Sequence, residues 1–240
     1  MGPILHKLQR LRSELARRDL PLPDRATNLV EKTLKAMHLW PKVLVGRELF
    51  YELRSPPPEL RGLGDLTARR GSAEEAAAIC AVDAADPKLI AGRFAQGDLV
   101  FLGELDRRIL AHVWFHRGPT PFAEDEPDYP SWDVPAGSYW SYDALSVMEA
   151  RSSGVFVKAF QRGLRALFLE HGAGLVRCRV KSTNLASIAL HERMGFRRLG
   201  TLSVFSLAGL REFYWDGEAG PRWLHQQRLR PGKALVLPPA

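Results

Sequence analysis

The segment NLASIALHERMGF, residues 184–196, is the stretch of this 240-residue chain that decides the fold. Asn184 favours a helix N-cap, because its side-chain oxygen can accept a hydrogen bond from the backbone amide near Ser187. Gly195 suits the end of the helix, where a left-handed residue is easiest to place, and Phe196 can begin a strand. Apolar packing comes from Ile188, Leu190 and Met194. The segment therefore predicts a capped helix in an α/β domain.

The residues around this helix predict an alternation of strands and helices. A strand over 175–181 alternates apolar and basic residues, and a helix over 155–170 carries its large apolar residues on one stripe. The other predicted elements are a strand over 62–70, helices over 74–82 and 87–95, strands over 98–105, 107–115 and 138–147, a helix over 184–194, and strands over 197–207 and 210–215. This order, with hairpins in the middle, predicts an α/β (α+β) fold with a mixed, mostly antiparallel central sheet flanked by helices.

Breaks in the pattern predict three parts of the chain. They are an N-terminal extension over 1–60 with helices over 4–18 and 26–38 and a strand over 43–54, a main domain over 61–216, and a basic tail over 217–240. The basic helix over 4–18 has two interpretations. It can pack its leucines on the main domain, which is the favoured interpretation, or it can lie on an anionic membrane surface.

The formal net charge of +7 lies in the flanks of the chain. Residues 61–216 hold 19 Lys and Arg against 19 Asp and Glu, so the main domain is neutral. A nucleic-acid-binding protein usually concentrates its basic charge on the recognition module. The distribution therefore argues against a nucleic-acid partner.

Composition also bears on location and on metal content. Two cysteines, Cys80 and Cys178, are too few for a disulfide framework or a metal site, which favours a reducing compartment. No apolar run approaches the ~20 residues that a membrane-spanning helix needs. The first residues also lack the pattern of a secretory signal. We therefore expect a cytoplasmic protein without a metal.

The spacing within residues 184–196 resembles a motif of the GNAT superfamily of N-acetyltransferases, N-x-x-A/S-(I)-x-L-Y-x-x-x-G-F. Six residues match in register: Asn184, Ser187, Ile188, Leu190, Gly195 and Phe196. His191 replaces the tyrosine of the motif. The predicted element order is also that of the GNAT fold, so the resemblance covers roughly two thirds of the chain.

A second segment resembles the loop with which that family cradles the coenzyme A pyrophosphate. Residues that can form a small turn at a helix start are Arg151, Ser152, Ser153, Gly154 and Val155. Such a turn directs unpaired amides at one point, and the helix dipole adds positive potential there. The loop departs from the family pattern in two ways. Phe156 replaces a second small residue, and the spacing from Val147 is one residue short.

The resemblance implies further contacts with acetyl-CoA. In the family, the strand before the loop splays from its neighbour, and the pantetheine arm lies between them. This assigns backbone contacts to Ser146, Val147 and Met148, one of whose amides would polarise the acyl carbonyl. Asn184 and Ser187 are also expected near the cosubstrate. By contrast, Cys178 lies on the apolar side of its strand and is expected to be structural.

The implied reaction is direct attack of an acceptor amine on the thioester. His191 stands where the family's tyrosine is often the acid for the leaving thiolate, so it is one hypothesis for that acid, and a packing histidine is the other. Asp143 is the first candidate base and Glu149 a weaker one, with a hydrogen bond to the backbone or a solvent-facing position as the alternative for Asp143. His112 and His116 are expected to be structural.

The acceptor is expected to be a small-molecule or peptide amine. The proline-rich loop over 117–137 combines acidic and aromatic residues, which suits a cationic amine, although a solvated surface loop is the favoured interpretation. The predicted function is acyl-CoA-dependent N-acyl transfer. A non-catalytic acyl-CoA-binding regulatory module is the main alternative, and a scaffold that docks through its basic flanks is a third.

Overall fold

The computed structural model describes residues 24, 26, 30, 43–59, 66–123, 131–207, 210–218 and 220–224. The helix expected over 4–18, most of the helix expected over 26–38 and the acidic stretch at 124–128 lie outside these ranges. Within the described residues, no helix is long and apolar enough to cross a membrane.

The described residues form one sheet and four α-helices. The strands are β1 (Val43–Leu53), β2 (Thr67–Arg70), β3 (Leu99–Leu105), β4 (Arg108–Arg117), β5 (Ser138–Ser146), β6 (Leu175–Lys181), β7 (Arg197–Leu207), β8 (Leu210–Gly217) and β9 (Arg222–Leu224). The helices are α1 (Ala76–Asp83), α2 (Pro87–Ala95), α3 (Val155–Leu169) and α4 (Leu185–Arg193), with short 3-10 turns at Ala73–Glu75 and Met148–Ala150.

The strand order confirms the predicted mixed, mostly antiparallel sheet flanked by helices. The order is β2-β3-β4-β5-β6-β1-β7-β8-β9. Only the β5–β6 pair is parallel, and every other neighbouring pair is antiparallel. This single parallel pair marks the place where the two halves of the sheet meet.

The strand that the sequence predicted inside the N-terminal extension is a central strand of the sheet. β1 lies between β6 and β7 and pairs with both. β8 and β9 also reach beyond residue 216. The sheet therefore uses residues on both sides of the boundaries predicted at 60 and 216. The reason is physical: residues of β1 are buried in the cores on both faces of the sheet, and its backbone groups are hydrogen bonded along both edges by β6 and β7.

The two faces of the sheet have different cores. The helical face lies under α3 and α4, and its core includes Leu49, Tyr51, Phe101, Phe115, Phe160, Val176, Cys178 and Met194. The opposite face, which we call the front face, carries α1 and α2 at one end and an aromatic cluster at the other. That cluster includes Phe50, Phe122, Trp132, Trp140, Phe213 and Trp215.

Gly103 on β3 sets the position at which α3 begins. A Cβ atom at Gly103 would lie 2.5 Å from the backbone oxygen of Val155, the first residue of α3. Only a glycine allows this close approach, so the N-terminus of α3 is fixed against the sheet beside the end of β5.

Candidate functional site

The β5–β6 pair opens at one end of the sheet. Its residue pairs run from Ser138 with Leu175 to Ser141 with Cys178, and then the pairing stops. β5 continues to Ser146 and β6 to Lys181 without pairing to each other. The splayed pair that the resemblance implied is therefore present, and it leaves a gap bordered by backbone groups.

A β-bulge on β5 lies at the start of this gap. The β4–β5 register shifts between His112, which pairs with Leu145, and Trp114, which pairs with Tyr142. Asp143 lies inside the bulge with a φ angle of 40°. That left-handed backbone is uncommon for a residue other than glycine, and aspartate tolerates it better than most. Since a bulge bends its strand, it accounts for the departure of β5 from β6.

The side chain of Asp143 is held by groups from two other elements. Its carboxylate is hydrogen bonded to Arg93 of α2, and the Nε2 atom of His112 lies 3.7 Å away. Arg93 is only 6% exposed, and its guanidinium lies 5.2 Å from the ring centre of Trp114 and 5.0 Å from that of Tyr142. The bulge is therefore tied to α2 by a buried ion pair between two aromatic rings.

This environment argues against Asp143 as the base. Burial raises the pKa of its carboxyl, but the nearby imidazole of His112 and the guanidinium of Arg93 outweigh burial and hold the pKa below its usual range. A carboxylate with a lowered pKa that is already ion-paired is a weak proton acceptor. The structure places the Asp143 carboxylate in an ion pair with the Arg93 side chain, which neither interpretation from the sequence named. Glu149 is exposed and lies in the 3-10 turn before α3.

The backbone of β5 presents some of its amides to the gap. The Val147 amide donates to the Leu110 oxygen of β4 over 2.9 Å, so it is not available to a ligand. Because backbone groups alternate along a strand, the amide of Ser146 points to the other side, where the gap lies. A contact of Val147 with the cosubstrate stays a prediction. Met148 begins the 3-10 turn, and its side chain is exposed.

The predicted phosphate loop has the backbone of an anion-binding turn. Ser152 and Gly154 both have left-handed backbones, with φ angles of 77° and 87°, and Gly154 is the N-cap of α3. Ser153 donates its hydroxyl to the Ala150 oxygen over 2.7 Å and accepts from the Val155 amide over 3.2 Å. Arg151 is exposed, and the first turn of α3 has no acidic residue.

The polar groups at the start of α4 are hydrogen bonded within the helix itself. The side chain of Asn184 accepts a hydrogen bond from the Ser187 amide over 3.2 Å, which confirms the predicted cap. Ser187 also accepts a bond at its backbone oxygen from the imidazole of His191. Both residues are thus used within α4, and a contact with the cosubstrate stays a prediction.

The environment of His191 argues against its role as an acid. The ring is 6% exposed and packs against Tyr51, Phe160 and Phe196, with centroid distances of 5.7, 5.1 and 5.0 Å. Burial lowers its pKa to about 4, although the hydrogen bond to the Ser187 oxygen opposes the shift. The Nδ1 hydrogen points at that oxygen, 2.7 Å away. At neutral pH the ring is uncharged, which fits the packing interpretation.

The expectation for Cys178 is confirmed. Its side chain is buried in the core of the helical face, and burial raises the pKa of its thiol. A thiol that stays protonated is a poor nucleophile. The two cysteines, Cys80 and Cys178, are both buried and free.

Several polar residues of the front face were not singled out as a group by the sequence. The Nδ1 of His116 lies 2.7 Å from Asp98, whose other carboxylate oxygen accepts from the hydroxyl of Tyr142. The Nε2 of His116 lies 2.8 Å from the hydroxyl of Thr120. Together with Arg93 they line the front face beside the bulge. Asp98 gives no signal in the sequence, since acidic residues commonly precede a strand.

The loop over 117–137 contributes to the core rather than forming only a solvated surface. Phe122 and Trp132 bridge each other and are buried. Trp132 stacks on Trp140 with centroids 5.5 Å apart. The aromatic residues of the loop that the structure describes are thus anchors of the front face. Apolar burial explains this, because each ring removes a large area from water.

Comparison with known proteins gives structural neighbours only. The sequence matches no protein-family model and no curated protein. Among solved structures, the chain is similar to a GNAT-family acetyltransferase from Novosphingobium aromaticivorans, with a TM-score of 0.48 and 16% identity over 68% of this chain and 66% of that chain. It is also similar to the ribosomal-protein-S18-alanine N-acetyltransferase from Escherichia coli, with a TM-score of 0.44 and 14% identity over 55% and 77% of the two chains.

A third similar structure is a GCN5-related N-acetyltransferase from Kribbella flavida, with a TM-score of 0.45 and 17% identity over 69% of this chain and 60% of that chain.

Proposed function

We propose that this chain is an acyl-CoA-dependent N-acyltransferase, moving an acyl group, acetyl in the simplest case, from coenzyme A to an amine. The observation that carries the proposal is the gap between β5 and β6. Two neighbouring parallel strands pair as far as Ser141 and Cys178 and then separate, so unpaired backbone borders an opening inside a sheet. Unpaired backbone groups in such a place favour a ligand that can hydrogen bond to them.

The described residues fit the parts of an acyl-CoA molecule. The amide of Ser146 would bond the pantetheine arm as a neighbouring strand would. The turn formed by Ser152 and Gly154, at the N-terminus of α3, would receive the pyrophosphate, with Arg151 beside it. The bound molecule supplies an activated thioester.

The chain's own contribution is mainly positioning. The bulge at Asp143 is set before any ligand binds, because the ion pair with Arg93 fixes it. Amides held in place in this way can stabilise negative charge on an acyl oxygen without reorganisation. The acceptor would approach from the front face, since the helical face is filled by α3 and α4.

Binding of acetyl-CoA tests the proposal. At a hundredfold excess over its dissociation constant, acetyl-CoA should raise the free energy of unfolding by about 2.7 kcal/mol. Gly154→Glu should remove most of this shift, because it places a side chain and a negative charge in the phosphate turn. Gly172→Glu is the matched control, since Gly172 also has a left-handed backbone, with a φ angle of 65°, and has open space around its Cα.

If acetyl-CoA stabilises both variants as much as it stabilises the wild type, the phosphate turn is misassigned. If acetyl-CoA does not stabilise the wild type, the proposed function is wrong. Loss of the response in Gly154→Glu alone supports it.

The non-catalytic alternative rests on a specific observation. Neither residue predicted for proton transfer is suited to it, since Asp143 is ion-paired and His191 is neutral. A regulatory acyl-CoA-binding module would need neither residue. Release of free thiol from acetyl-CoA in the presence of a panel of amines separates the two functions, because only an enzyme turns over.

The state of the two cysteines bears on the cellular location of the protein. Both cysteines are buried as free thiols, which fits a reducing compartment. We propose a cytoplasmic location on this basis.

A further inference from the structure

Arg177 of β6 is a buried guanidinium with no hydrogen bond to any residue that the structure describes. The residue is 9% exposed, and its Nε atom is fully buried without a partner. Its nearest carboxylate is that of Glu52, 3.9 Å away from a terminal nitrogen, which is beyond hydrogen-bond distance. Arginine carries five donors, so a buried arginine that uses none is unusual.

Glu52 does not supply the missing partner, because it is already bonded to two other arginines. Arg54 donates to both of its oxygens, over 2.9 and 3.2 Å, and Arg197 donates over 2.7 Å. Burial lowers the pKa of Arg177, and the Glu52 and Asp133 carboxylates oppose that shift only in part. Arg177 thus remains the underpaired member of this cluster.

Its neighbour on the same strand shows the ordinary arrangement. Arg179 lies two residues further along β6, and its guanidinium is 3.1 Å from the buried carboxylate of Glu48. Both arginines alternate with Val176, Cys178 and Val180, which belong to the core of the helical face. Arg177 and Arg179 therefore both lie on the front face. The guanidinium of Arg179 is close to a carboxylate of the protein, whereas that of Arg177 is beyond hydrogen-bond distance from its nearest carboxylate.

The surroundings of Arg177 contain further donors. Its register partner on β5 is Trp140, which stacks on Trp132. The indole nitrogens of both tryptophans are buried and have no hydrogen-bond partner. This part of the front face therefore has more donors than acceptors, which favours a ligand that only accepts hydrogen bonds.

Arg177 also lies beside the gap. The Trp140–Arg177 pair is followed by the Ser141–Cys178 pair, after which β5 and β6 separate. The backbone of Arg177 therefore lies one position, about 3.3 Å of strand, before the point where the two strands separate. A group bound by Arg177 on the front face would be part of the acceptor.

We propose that Arg177 binds a carboxylate of the acyl acceptor, so that the acceptor is an amine that also carries a carboxylate. The inference rests on the proposed function for the identity of this molecule as an acceptor. A guanidinium presents a planar pair of donors that matches a carboxylate in two parallel hydrogen bonds. The terminal nitrogens of Arg177 are the atoms that a ligand can reach, since only its Nε is sealed from solvent.

The local charge favours a carboxylate over a phosphate. Arg54, Arg177 and Arg197 are accompanied by the carboxylates of Glu52, Asp133 and Glu218. A singly charged group completes the hydrogen bonding of Arg177 at small electrostatic cost. A doubly charged phosphate would meet nearby carboxylates without a second free cation among these residues.

Turnover with matched amines is the first test. Amino acids and ω-amino acids are each paired with their primary amides, and thiol release from acetyl-CoA gives kcat/KM for every member. The wild type should prefer the acids over the amides by about 10²-fold, because the amide cannot neutralise Arg177. Arg177→Met should abolish the preference, and Arg177→Lys should keep only part of it, since lysine lacks the planar pair of donors. Equal rates for acids and amides in the wild type, or a preference that survives in Arg177→Met, would overturn the proposal.

Binding without turnover is the second test, and it separates this proposal from the proposed function. Ligand-observed NMR should detect the same amino acids on the wild type in the presence of coenzyme A, and not on Arg177→Met. If amino acids bind through Arg177 but acetyl-CoA is never turned over, the carboxylate site is supported and the proposed enzymatic function is wrong. If amines are turned over but a carboxylate gives no advantage in binding, the proposed enzymatic function is supported and the carboxylate site is wrong.

Stability provides a control against a merely structural role. Arg177→Met removes an underpaired buried charge, so its Tm should equal or exceed that of the wild type. Arg179→Met removes the guanidinium that is ion-paired with the buried carboxylate of Glu48 and should lower the Tm by about 10 °C. A large loss of Tm in Arg177→Met would show that the protein itself satisfies Arg177, and would contradict the proposal.

Discussion

The two edges of β6 are paired very differently. On one side β6 pairs with β1 over six residue pairs, from Glu48 with Lys181 to Leu53 with Val176. On the other side it pairs with β5 over four, and the last residues of the strand have no partner on β5. The same short strand is thus closed along one edge and open along the other. Its own sequence does not explain the difference, because both edges belong to the same residues.

The difference originates in the neighbouring strands. β1 is regular where it faces β6, whereas β5 carries the bulge at Asp143. That bulge is fixed from outside the sheet by Arg93 of α2 and is approached by His112 of β4. The open edge is therefore a built feature, held by a buried ion pair at the cost of strand pairing. Substitutions beside the open edge and beside the closed edge of β6 test this difference.

The largest effect is expected from breaking the ion pair between Asp143 and Arg93, which holds the open edge. Asp143→Asn keeps a residue that tolerates a left-handed backbone but removes the carboxylate that is ion-paired with the buried Arg93. The free energy of unfolding should fall by about 3 to 5 kcal/mol, as measured by chemical denaturation. Adding Arg93→Met should restore much of this loss, because the buried charge that has lost its carboxylate is also removed.

A different outcome would return Asp143 to a catalytic role. If Asp143→Asn keeps its stability and loses turnover, the carboxylate acts as a base, and holding the bulge through Arg93 is not its main function.

The second effect concerns His191, which packs against Tyr51 on β1 beside the closed edge. An unfolded histidine binds a proton below about pH 6.5, whereas burial lowers the pKa of His191 to about 4. Between these values the unfolded state binds more protons, so this contribution to stability is complete above pH 6.5 and is lost as the pH falls toward 4. The loss should reach about 3 kcal/mol.

Thermal denaturation between pH 4 and 7 measures this dependence. His191→Phe should flatten it and leave kcat within a few-fold of the wild type. A decrease in kcat of about 10² would contradict the packing interpretation and support His191 as an acid.

The smallest effect is expected at the helix that follows β6. Asn184→Ala removes the cap of α4 and should lower the free energy of unfolding by about 1 kcal/mol. Asn184→Asp is the control, since aspartate keeps the capping oxygen. An alanine variant with full stability and reduced turnover would instead make Asn184 a ligand contact.

Local patterns predicted those parts of the molecule that depend on nearby residues. The cap at Asn184, the helix that it begins and the burial of Cys178 follow from spacing within one segment, and all are present. The turn at Gly154 was also predicted from adjacent small residues. In each case the interacting groups lie within a few positions of one another.

Features that depend on distant residues were missed. The strand at 43–53 was predicted, but its insertion between β6 and β7 depends on pairing across more than a hundred residues. Asp143 and Arg93 are 50 positions apart, and no local pattern links them. Arg177 reads in the sequence as an ordinary polar position of an alternating strand. Its missing partner becomes visible only when Glu52 is seen to be bonded elsewhere.

Hydrogen exchange of the backbone amides that face the gap tests the central claim most directly. If an acyl-CoA arm lies between β5 and β6, saturating acetyl-CoA should slow exchange at the Ser146 amide by about tenfold or more. Amides on the β1–β6 edge, already paired, should change little and serve as the internal reference. Unchanged exchange at Ser146 under conditions where acetyl-CoA is bound would contradict the claim that the open edge of β6 is the acyl-CoA site.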